Sequence, residues 1–426
     1  MKITELNGKK VCILGFGREG RSTLAVLIKL APRAIITIAD QHEVVASGRR
    51  VIYGPDYLQQ LDNFDCIIKT PGLRWTPPPK LRSKVTSATQ IFFNSLPKST
   101  TVIGITGTKG KSSTAALIHH VLKSSGRPAY LAGNIGEPML DLLVSIKADE
   151  IAVLELSSYQ LNDLSVSPGI AVITSFFPDH IDYHGTVTAY FEAKSHITNY
   201  QGPQDTVFYN ADFEDCRRMA QLSSGHKVGF TSGSVSQNIV RAAGRGTVPT
   251  NLAAAVLVAR HLGISDDEIV KALRSAPRLA HRQQRIGTYH DITWVDDSAA
   301  TTPQSTQAAL LALGESTQTL IVGGLNRDYD FAELGSQIAA SSVENIILFP
   351  DTGNIIQTYI EAVHPQPSKT YFSTASMDEA VRWAAQHTTP GKICLLSSGA
   401  PSYNLFENFN ERGDAFQKAA AALNKD

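Results

Sequence analysis

The sequence predicts an α/β fold of three domains, each built around a mainly parallel β-sheet. Apolar runs of strand length alternate with helical segments along most of the 426 residues, which is the pattern of strand–helix–strand units. Two glycine-rich loops each follow an apolar run and precede a helical segment. The length accommodates about three domains. We place them at residues 1–97, 98–276 and 277–426.

The first glycine-rich loop, Gly15-Phe-Gly-Arg-Glu-Gly20, lies between the apolar run Lys10–Leu14 and a helical stretch that ends near Leu30. The next strand, Ala34–Ala39, leads to Asp40. Glycines at these spacings let the backbone approach a diphosphate, and an acid at this separation can bind a ribose. The pattern predicts a Rossmann-like domain. By itself it fits a nicotinamide dehydrogenase, a nucleotide-sugar site or a tight turn without a ligand, and the second loop favours a UDP-type substrate.

The second glycine-rich loop is Gly104-Ile-Thr-Gly-Thr-Lys-Gly-Lys-Ser-Ser-Thr114, between the apolar run Thr101–Ile105 and the helical segment Ala115–Leu122. Strand, glycine loop and helix N-terminus together form a cradle of N–H groups for phosphate. Lys111 would reach the terminal phosphates, and Ser112 would offer a hydroxyl to Mg²⁺. The pattern predicts binding of a nucleoside triphosphate, although the gap between its glycines is shorter than in the usual phosphate loop.

Polar residues follow two further strands of the central domain. Glu155 ends the strand Ile151–Glu155, where it could hold Mg²⁺ beside Ser112; the alternative is a solvated acid at a strand end. The cluster Asp179-His-Ile-Asp-Tyr-His184 comes just after the strand Ile170–Thr174.

Lys194 lies on a predicted helix and shares an apolar face with Tyr190, Ala193 and Ile197. Burial of a charged ammonium is costly, so such a lysine would have to be neutral or converted to a carbamate. From the residue pattern alone a solvated surface lysine is favoured.

The third domain repeats the rhythm of strands that end in polar residues. Its strands include Thr293–Asp296, Thr319–Val322 and Ile393–Leu396. Each polar residue after them could be ordinary surface, but their shared position indicates that one face of the domain closes over the nucleotide. The residues at or after these strand ends are Asp296, Asp297, Arg327, Ser402 and the apolar Phe409; His281 and Arg282 lie before the first of these strands, at the domain junction.

Bulk composition excludes several function classes. Acidic and basic residues balance at 39 each, so no overall charge attracts nucleic acid or membrane. The four cysteines are far apart and are expected to be buried and reduced, and no pair suggests a metal site. We see neither a leader segment nor an apolar run near the roughly 20 residues that span a bilayer. We therefore expect a cytoplasmic monomer with no nucleic-acid or membrane partner.

The order of these motifs resembles the Mur ligases, and the resemblance covers essentially the whole chain. The segment Leu-Glu-Leu-Ser-Ser-Tyr-Gln-Leu is most similar to the glutamate-adding members. The motifs that carry the resemblance lie at 104–112, 154–161, 179–185, 190–194, 281–282, 297–301 and 408–413.

The resemblance implies one role for each domain, in chain order: binding of a UDP-sugar, binding of ATP, and binding of the amino acid with closure over ATP. It implies ATP contacts at Gly107, Thr108, Lys109, Gly110, Lys111, Ser112, Ser113, Asn251, Arg282 and Asp297. UDP-sugar contacts are expected at Gly15, Phe16, Gly17, Arg18, Asp40, Thr70, Pro71, Gly72 and Asn134. Amino-acid contacts are expected at Thr301, Arg327, Ser402 and Phe409.

For the chemistry, the resemblance implies two Mg²⁺ sites, one at Ser112 and Glu155 and one at His180 and a carbamylated Lys194. Lys111, Glu155, His180 and Lys194 would form the catalytic set. The implied reaction is the ATP-dependent, ADP-forming ligation of glutamate, expected as D-glutamate, to UDP-N-acetylmuramoyl-L-alanine in peptidoglycan precursor synthesis. It would proceed through an acyl phosphate.

Five positions depart from the family pattern. Lys109 stands where the family usually has asparagine, Ala299 and Arg327 stand where it has lysines, and Thr247-Val248 replace a His-Asn pair. Phosphate and metal chemistry should survive these changes. The choice of amino acid, including the enantiomer of glutamate, is the property they place in question.

Three other classes remain as alternatives. A folate-polyglutamating ligase shares the central fold but normally begins at its phosphate loop. A dehydrogenase would leave the phosphate loop, Glu155 and His180 without a role. A non-catalytic UDP-sugar-binding regulator would be expected to have lost Lys111, Glu155, His180 or Lys194, and all four are present.

Overall fold

The structure, a computed structural model, describes residues 1–46, 48–244, 247–276, 280–363 and 368–425. The chain divides into two compact units, Met1–Ala276 and Pro277–Asp426. The first unit contains two parallel sheets and the second contains one mixed sheet. The predicted boundary at residue 97 falls between the two sheets of the first unit.

The first sheet of the first unit has the strand order β3-β2-β1-β4-β5, and all its pairs are parallel. This is the order expected when a glycine loop follows the central strand of a Rossmann-like sheet. Its strands are β1 (Lys10–Leu14), β2 (Ile35–Asp40), β3 (Arg50–Tyr53), β4 (Cys66–Lys69) and β5 (Val85–Ser87). Its helices are α1 (Arg18–Leu30) and α2 (Ala88–Ser95).

The second sheet of the first unit has the order β11-β10-β9-β6-β8-β7, again with parallel pairs. Its strands are β6 (Thr101–Thr106), β7 (Ala129–Gly133), β8 (Ile151–Glu155), β9 (Ile170–Ile173), β10 (Thr206–Asn210) and β11 (His226–Phe230). Its helices are α3 (Lys111–Ser124), α4 (Met139–Leu142), α5 (Ser158–Asn162), α6 (Ile181–His184), α7 (Val187–Ser195), α8 (Glu214–Gln221), α9 (Gln237–Ala243), α10 (Pro249–His261) and α11 (Asp266–Arg274).

The strand that leads into the phosphate loop lies at the centre of this second sheet. β6 pairs with β8 on one side and with β9 on the other. The apolar run of β6 is buried because helices cover the sheet; Ile103 and Ile105 pack in the cluster that includes residues of α3 and α10. The carboxyl ends of β6, β8 and β9 therefore meet at one edge, where ligands bind in such sheets.

Hydrogen bonds join the two sheets of the first unit. Lys69 at the end of β4 forms a 2.6 Å ion pair with Asp163, just after α5. The Tyr183 hydroxyl donates to the Pro71 carbonyl at 2.9 Å. These contacts bring the loop after β4 against the segments that follow β8 and β9.

The sheet of the second unit has the order β12-β13-β17-β14-β15-β16. Its pairs are parallel except β12 with β13, an antiparallel hairpin at the edge. Its strands are β12 (Gln284–Tyr289), β13 (Ile292–Asp296), β14 (Thr317–Gly323), β15 (Asn345–Phe349), β16 (Thr370–Ser373) and β17 (Ile393–Leu396). Its helices are α12 (Pro303–Leu313), α13 (Ala332–Ala340), α14 (Gly353–Glu361), α15 (Met377–His387) and α16 (Phe409–Ala422).

The α/β prediction with mainly parallel sheets is confirmed, and the predicted strands at 10–14, 151–155 and 393–396 have the observed bounds. The stretch 223–246 is rich in Ser and Gly, a composition that predicts loop and short strand; it contains the short strand β11 and also the helix α9, which that composition does not predict. All four cysteines are buried and free, as expected. No helix in the described ranges is long and apolar enough to cross a membrane.

Arg412 is a buried charge in the second unit. It is 1% exposed on α16, and burial lowers the pKa of its guanidinium to about 10. It donates to Ser298 Oγ at 2.9 Å, to the Ser298 carbonyl at 2.8 Å and to the Ala400 carbonyl at 3.1 Å. The side chain thereby ties α16 to the loops after β13 and β17.

Replacing Arg412 with methionine should lower the free energy of unfolding by about 3 kcal/mol or more, because two buried carbonyls lose their donor. Urea titration of the full-length chain measures the loss. Arg382→Met on the exposed side of α15 is the matched control and should change stability by less than about 0.5 kcal/mol. Equal effects of the two variants would contradict the bracing role of Arg412.

Candidate active site

The phosphate loop is a tight turn that requires glycine at two positions. Gly107 has φ 149° and Gly110 has φ 88°. A Cβ on Gly107 would lie 2.0 Å from Thr174 Oγ1, and one on Gly110 would lie 2.4 Å from Asn251 Oδ1. Asn251 of α10, a predicted ATP contact, therefore lies directly against the loop. Ser112 and Ser113 follow in the first turn of α3.

The segment after β9 braces this loop from the side. Thr108 N donates to the Ser175 carbonyl at 2.9 Å, and Lys109 N donates to Ser175 Oγ at 2.8 Å. The Lys109 carbonyl accepts from Thr174 Oγ1 at 2.6 Å. The backbone that would surround the phosphates is thus fixed before a nucleotide arrives.

Two lysines meet at one carbonyl oxygen of the loop. Lys111 Nζ donates to the Gly107 carbonyl at 2.7 Å, and Lys194 Nζ donates to the same oxygen at 2.9 Å. Lys194 is 1% exposed, so it does not have the surface position that the residue pattern alone favoured. Burial, and next the neighbouring Lys111, hold the pKa of Lys194 well below its ordinary 10.5. The uncharged amine is the form that can react with carbon dioxide.

Glu155 lies at the end of β8, where one of its carboxylate oxygens accepts a hydrogen bond and the other does not. It is 1% exposed; Oε1 accepts from Asn134 Nδ2 at 2.9 Å, and Oε2 is buried without a hydrogen-bond partner. A buried carboxylate oxygen in this condition fits a divalent cation, whose hard oxygen ligands include carboxylates. Its neighbour across the sheet edge is the phosphate loop after β6.

His180 provides another buried atom without a hydrogen-bond partner, its Nδ1. The residue adopts a left-handed conformation with φ 53° at the start of α6. Burial lowers the pKa of His180, Lys111 and Lys194 lower it further, and Asp179 opposes them. The neutral ring leaves a lone pair for a metal. Within the described ranges, no group of three His, Cys, Asp or Glu residues could hold a metal alone, so substrate oxygens or a modified Lys194 would have to complete either site.

Aromatic rings pack around His180. The Tyr159 ring lies 5.2 Å from that of His180, 4.4 Å from that of Tyr183 and 5.7 Å from that of His184. The Tyr190 ring is 6.2 Å from His180. These rings lie within motifs of the sequence, but a motif does not show which rings will stack.

A cleft of about 300 Å³ opens between the two sheets of the first unit. Six predicted UDP-sugar residues line it: Gly17, Arg18, Thr70, Pro71, Gly72 and Asn134. Four further lining residues were not predicted as contacts: Glu19, Ser157, Tyr159 and Gln160. Arg18 at the start of α1 donates to the carbonyls of Asn134 and Gly136.

Gln160 joins the walls of this cleft. Its amide nitrogen donates to Glu19 Oε1 at 2.9 Å, and its oxygen accepts from Ser157 N at 3.0 Å. Burial raises the pKa of Glu19, and the hydrogen bond from Gln160 opposes that rise. The Ser-x-x-Gln spacing of a helix capping box was the signal in the sequence that could have placed Gln160.

Three other predicted UDP-sugar residues are not among those that line the cleft: Gly15 and Phe16 belong to the first glycine loop, and Asp40 supports that loop. Asp40 Oδ2 accepts from Phe16 N at 2.6 Å and Oδ1 accepts from His42 N at 2.9 Å. A Cβ on Gly15 would lie 2.1 Å from Thr70 Oγ1. In this structure the acid holds the loop, a role that the fingerprint spacing does not distinguish from ribose binding.

The predicted amino-acid residues of the second unit share one edge of its sheet. Thr301, Arg327 and Ser402 follow the carboxyl ends of β13, β14 and β17, which are neighbours in the order β13-β17-β14. The guanidinium of Arg327 lies 6.0 Å from the Tyr403 ring centre. Phe409, the first residue of α16, accepts at its carbonyl from Ser298 Oγ at 2.8 Å.

Two predicted nucleotide residues also belong to the second unit. Asp297 is 6% exposed and accepts from Gln283 N at 3.1 Å and from Ser397 Oγ at 2.8 Å. Burial raises the pKa of Asp297 to about 7 against the pull of these bonds. Arg282 is exposed on the turn before β12.

Two family patterns match the parts of the chain that contain most of these site residues. The pattern described as the Mur ligase middle domain matches residues 105–255, and the one described as the Mur ligase, glutamate ligase domain matches residues 281–399. These ranges contain the phosphate loop, Glu155, His180 and Lys194, and all three strand ends of the second unit just described. The chain belongs to the Mur ligase family.

Two relatives match this Mur ligase over nearly their whole length. The UDP-N-acetylmuramoylalanine–D-glutamate ligase of Streptococcus equi subsp. zooepidemicus is 32% identical over 99% of the chain and 98% of the relative. The UDP-N-acetylmuramoyl-L-alanine–L-glutamate ligase of Salinispora tropica is 32% identical over 98% of the chain and 99% of the relative. Among solved structures, the MurF ligase of Thermotoga maritima in complex with ADP has a TM-score of 0.62 at 17% identity, covering 99% and 97% of the two chains. The predicted fold class and family are confirmed.

Substitution of Asp297 by asparagine should make stability less dependent on pH. The folded carboxyl has a pKa raised to about 7 from an ordinary 3.8, so the stability it contributes is full at low pH and is lost as pH rises through about 7. The parent should therefore lose about 2 kcal/mol of unfolding free energy between about pH 5 and about pH 8 that the variant does not lose. Urea titrations at both pH values measure it.

Asp291→Asn is the control, because it removes an exposed carboxylate from the β12–β13 turn. The same urea titrations on this variant give the effect of losing a surface carboxylate. If the unfolding free energy of Asp297→Asn differs from that of the parent by the same amount at both pH values, the folded protein already holds Asp297 ionised at pH 5.

Proposed function

We propose that the protein joins glutamate to UDP-N-acetylmuramoyl-L-alanine and converts ATP to ADP and phosphate, a step of peptidoglycan precursor synthesis. The observation that carries the proposal is the placement of Lys111 and Lys194 on one carbonyl of the phosphate loop. The charge of Glu155 also acts on Lys194. Such a site can accept both a polyphosphate and a carboxylate.

In the first step an oxygen of the alanyl carboxylate attacks the γ-phosphorus, the bond to the β-phosphate oxygen breaks, and ADP leaves. The product is an acyl phosphate. The amine of glutamate then attacks the carbonyl carbon, loses a proton, and expels phosphate with the bridging oxygen. Lys111 and the N–H groups of the loop would offset the negative charge that accumulates when two anions meet. The fixed backbone of Thr108 and Lys109 favours this, since it needs no rearrangement.

The residues with unpartnered buried atoms fit divalent cations. Ser112 and Glu155 would hold one Mg²⁺, and His180 with a carbamylated Lys194 would hold the second. When bound, Mg²⁺ neutralises charge on the phosphates and the attacking carboxylate. Lys194 would gain its carboxylate when the neutral amine attacks carbon dioxide, forming an N–C bond and releasing one proton. The lowered pKa of Lys194 supports this modification, because it supplies the uncharged amine.

We assign the UDP-sugar to residues 1–97 and the cleft of the first unit, with Arg18, the turn 70–72 and Asn134 as contacts. Asn134 supports this because it lines the cleft and also donates to Glu155. ATP would bind residues 98–276, with Asn251 against the loop and with Arg282 and Asp297 contributed by residues 277–426. The same C-terminal domain would bind glutamate at Thr301, Arg327, Ser402 and Phe409 and close over the nucleotide.

For the amino acid we propose D-glutamate, as in the name of the streptococcal relative. L-Glutamate is a second candidate. The relative from Salinispora tropica is named for L-glutamate and is equally identical. Arg327 and Ala299, which replace lysines in the family pattern, lie in the second unit, where we place the amino acid.

Phosphate release from ATP with UDP-N-acetylmuramoyl-L-alanine should require D-glutamate. The assay compares D-glutamate, L-glutamate and no amino acid, with omission of the UDP-sugar as control. Release that needs L-glutamate would keep the mechanism and reassign the specificity. Release that needs neither the UDP-sugar nor an amino acid would contradict the proposed ligase.

Lys194→Ala should abolish ligation, and formate or acetate should restore part of it by standing in for the carbamate carboxylate. The measurement is the initial rate with and without each anion, at a fixed Mg²⁺ concentration. Lys123→Ala, at an exposed position of α3, is the control and should keep the parent rate in both conditions. Full activity of Lys194→Ala without additives would remove Lys194 from the mechanism.

A further inference from the structure

The turn before β12 is strained on both sides of Arg282. His281 has φ 59° and Gln283 has φ 43°, and both are residues with a Cβ in the left-handed region. Such conformations are disfavoured, and they persist where the surrounding structure holds them. The residue between them is exposed. An arginine is therefore presented to solvent from a backbone that is held on each side.

Hydrogen bonds account for how this backbone is held. His281 N donates to Gln284 Oε1 at 2.9 Å, and the His281 carbonyl accepts from Ala299 N at 2.9 Å. On the other side, Gln283 N donates to Asp297 Oδ1 at 3.1 Å. Both strained residues are thus tied to the hairpin or to the loop after β13.

The ring of His281 is enclosed, which fixes the first half of the turn. It is 4% exposed, and its Nδ1 lies 2.7 Å from Asp296 Oδ2. Gln417 on α16 donates to the same carboxylate oxygen at 2.8 Å. A Cβ on Gly413 would lie 2.1 Å from His281 Nδ1, so the helix needs glycine there to admit the ring. Asp296, Gln417 and Gly413 together define one position for the imidazole.

We propose that His281 is a positioning residue that sets the direction of the Arg282 guanidinium at the nucleotide. The inference rests on the nucleotide role of Arg282 in the proposed function. An arginine side chain loses conformational freedom when it binds phosphate, and a fixed backbone reduces that loss. Asp297 holds the other side of the turn, so its effect on the nucleotide would act through Gln283 and Arg282 as well.

A double-mutant cycle on the full-length chain tests the proposal. His281→Ala and Arg282→Ala should each raise the KM for ATP about tenfold, the size expected for loss of a charged hydrogen bond. The double variant should not exceed Arg282→Ala, because His281 acts through that arginine. The KM for the UDP-sugar should stay within about twofold. Equilibrium dialysis with ATP alone gives the dissociation constant for each protein independently of turnover.

Several results would overturn the proposal. If His281→Ala weakens ATP binding equally with and without Arg282, the histidine acts on stability and not on position. If Arg282→Ala leaves both the KM and the dissociation constant for ATP unchanged, Arg282 does not contribute to ATP binding and His281 cannot act through it. The ligase could still be active in that case. Failure of the ligase itself would appear as no phosphate release from the parent, and dialysis would still decide the role of His281.

Two further variants keep the proposal testable if His281→Ala fails to fold. Asparagine at position 281 tolerates the left-handed conformation and keeps an N–H donor, so His281→Asn should restore most of the affinity for ATP. Gly413→Ala should displace the ring and raise the KM as His281→Ala does; a parental KM would contradict the proposal. His290→Ala is the matched control, since His290 is also left-handed at φ 54° and its Nε2 lies 2.9 Å from the Leu423 carbonyl. It should leave the KM for ATP unchanged.

Discussion

The side chains of Lys111 and Lys194 both donate to the Gly107 carbonyl. The proposed chemistry of the first unit depends on this pair of basic groups, whose shared acceptor is a neutral carbonyl oxygen. Burial lowers the pKa of Lys194, because it disfavours the charged ammonium, and repulsion from the neighbouring Lys111 lowers that pKa further. The loop cannot relax away, because Thr174 and Ser175 hold it. Phosphate oxygens on Lys111, and a carboxylate on Lys194, are the groups that would complete the charge balance.

The parts of the fold with local signals were predictable from the sequence. Glycine spacing located both loops, and apolar runs located β1, β8 and β17, because these patterns reflect contacts within one strand–turn–helix unit. The burial of Lys194 was not predictable from its neighbours on the helix, since it depends on the loop that covers it. Likewise Asp40 matched a ribose-binding acid by spacing, whereas its carboxylate binds Phe16 N in the folded chain. The aromatic rings around His180 come from three separate helices, so no local sequence pattern predicts that they pack together.

Asn134 connects two functions of the first unit. Its side chain holds Glu155 Oε1, which leaves Oε2 free of hydrogen bonds, and its carbonyl accepts from Arg18 at the cleft. A ligand that orders Arg18 would therefore also steady the acid proposed to bind metal. Neighbours of this kind orient the groups that contact a metal and tune them. The sequence predicts only a UDP-sugar contact for Asn134, because a residue type does not show that one residue has two partners.

Isotope transfer tests the central claim, attack of the substrate carboxylate on the γ-phosphorus. UDP-N-acetylmuramoyl-L-alanine labelled with ¹⁸O in both oxygens of the alanyl carboxylate is turned over with ATP and glutamate, and the released phosphate is analysed by mass spectrometry. The account predicts one ¹⁸O in each phosphate, because the bridging oxygen leaves with it, and one ¹⁸O in the new amide. Unlabelled phosphate formed together with the amide product, with the second ¹⁸O recovered in water or in a nucleotide product, would contradict the account.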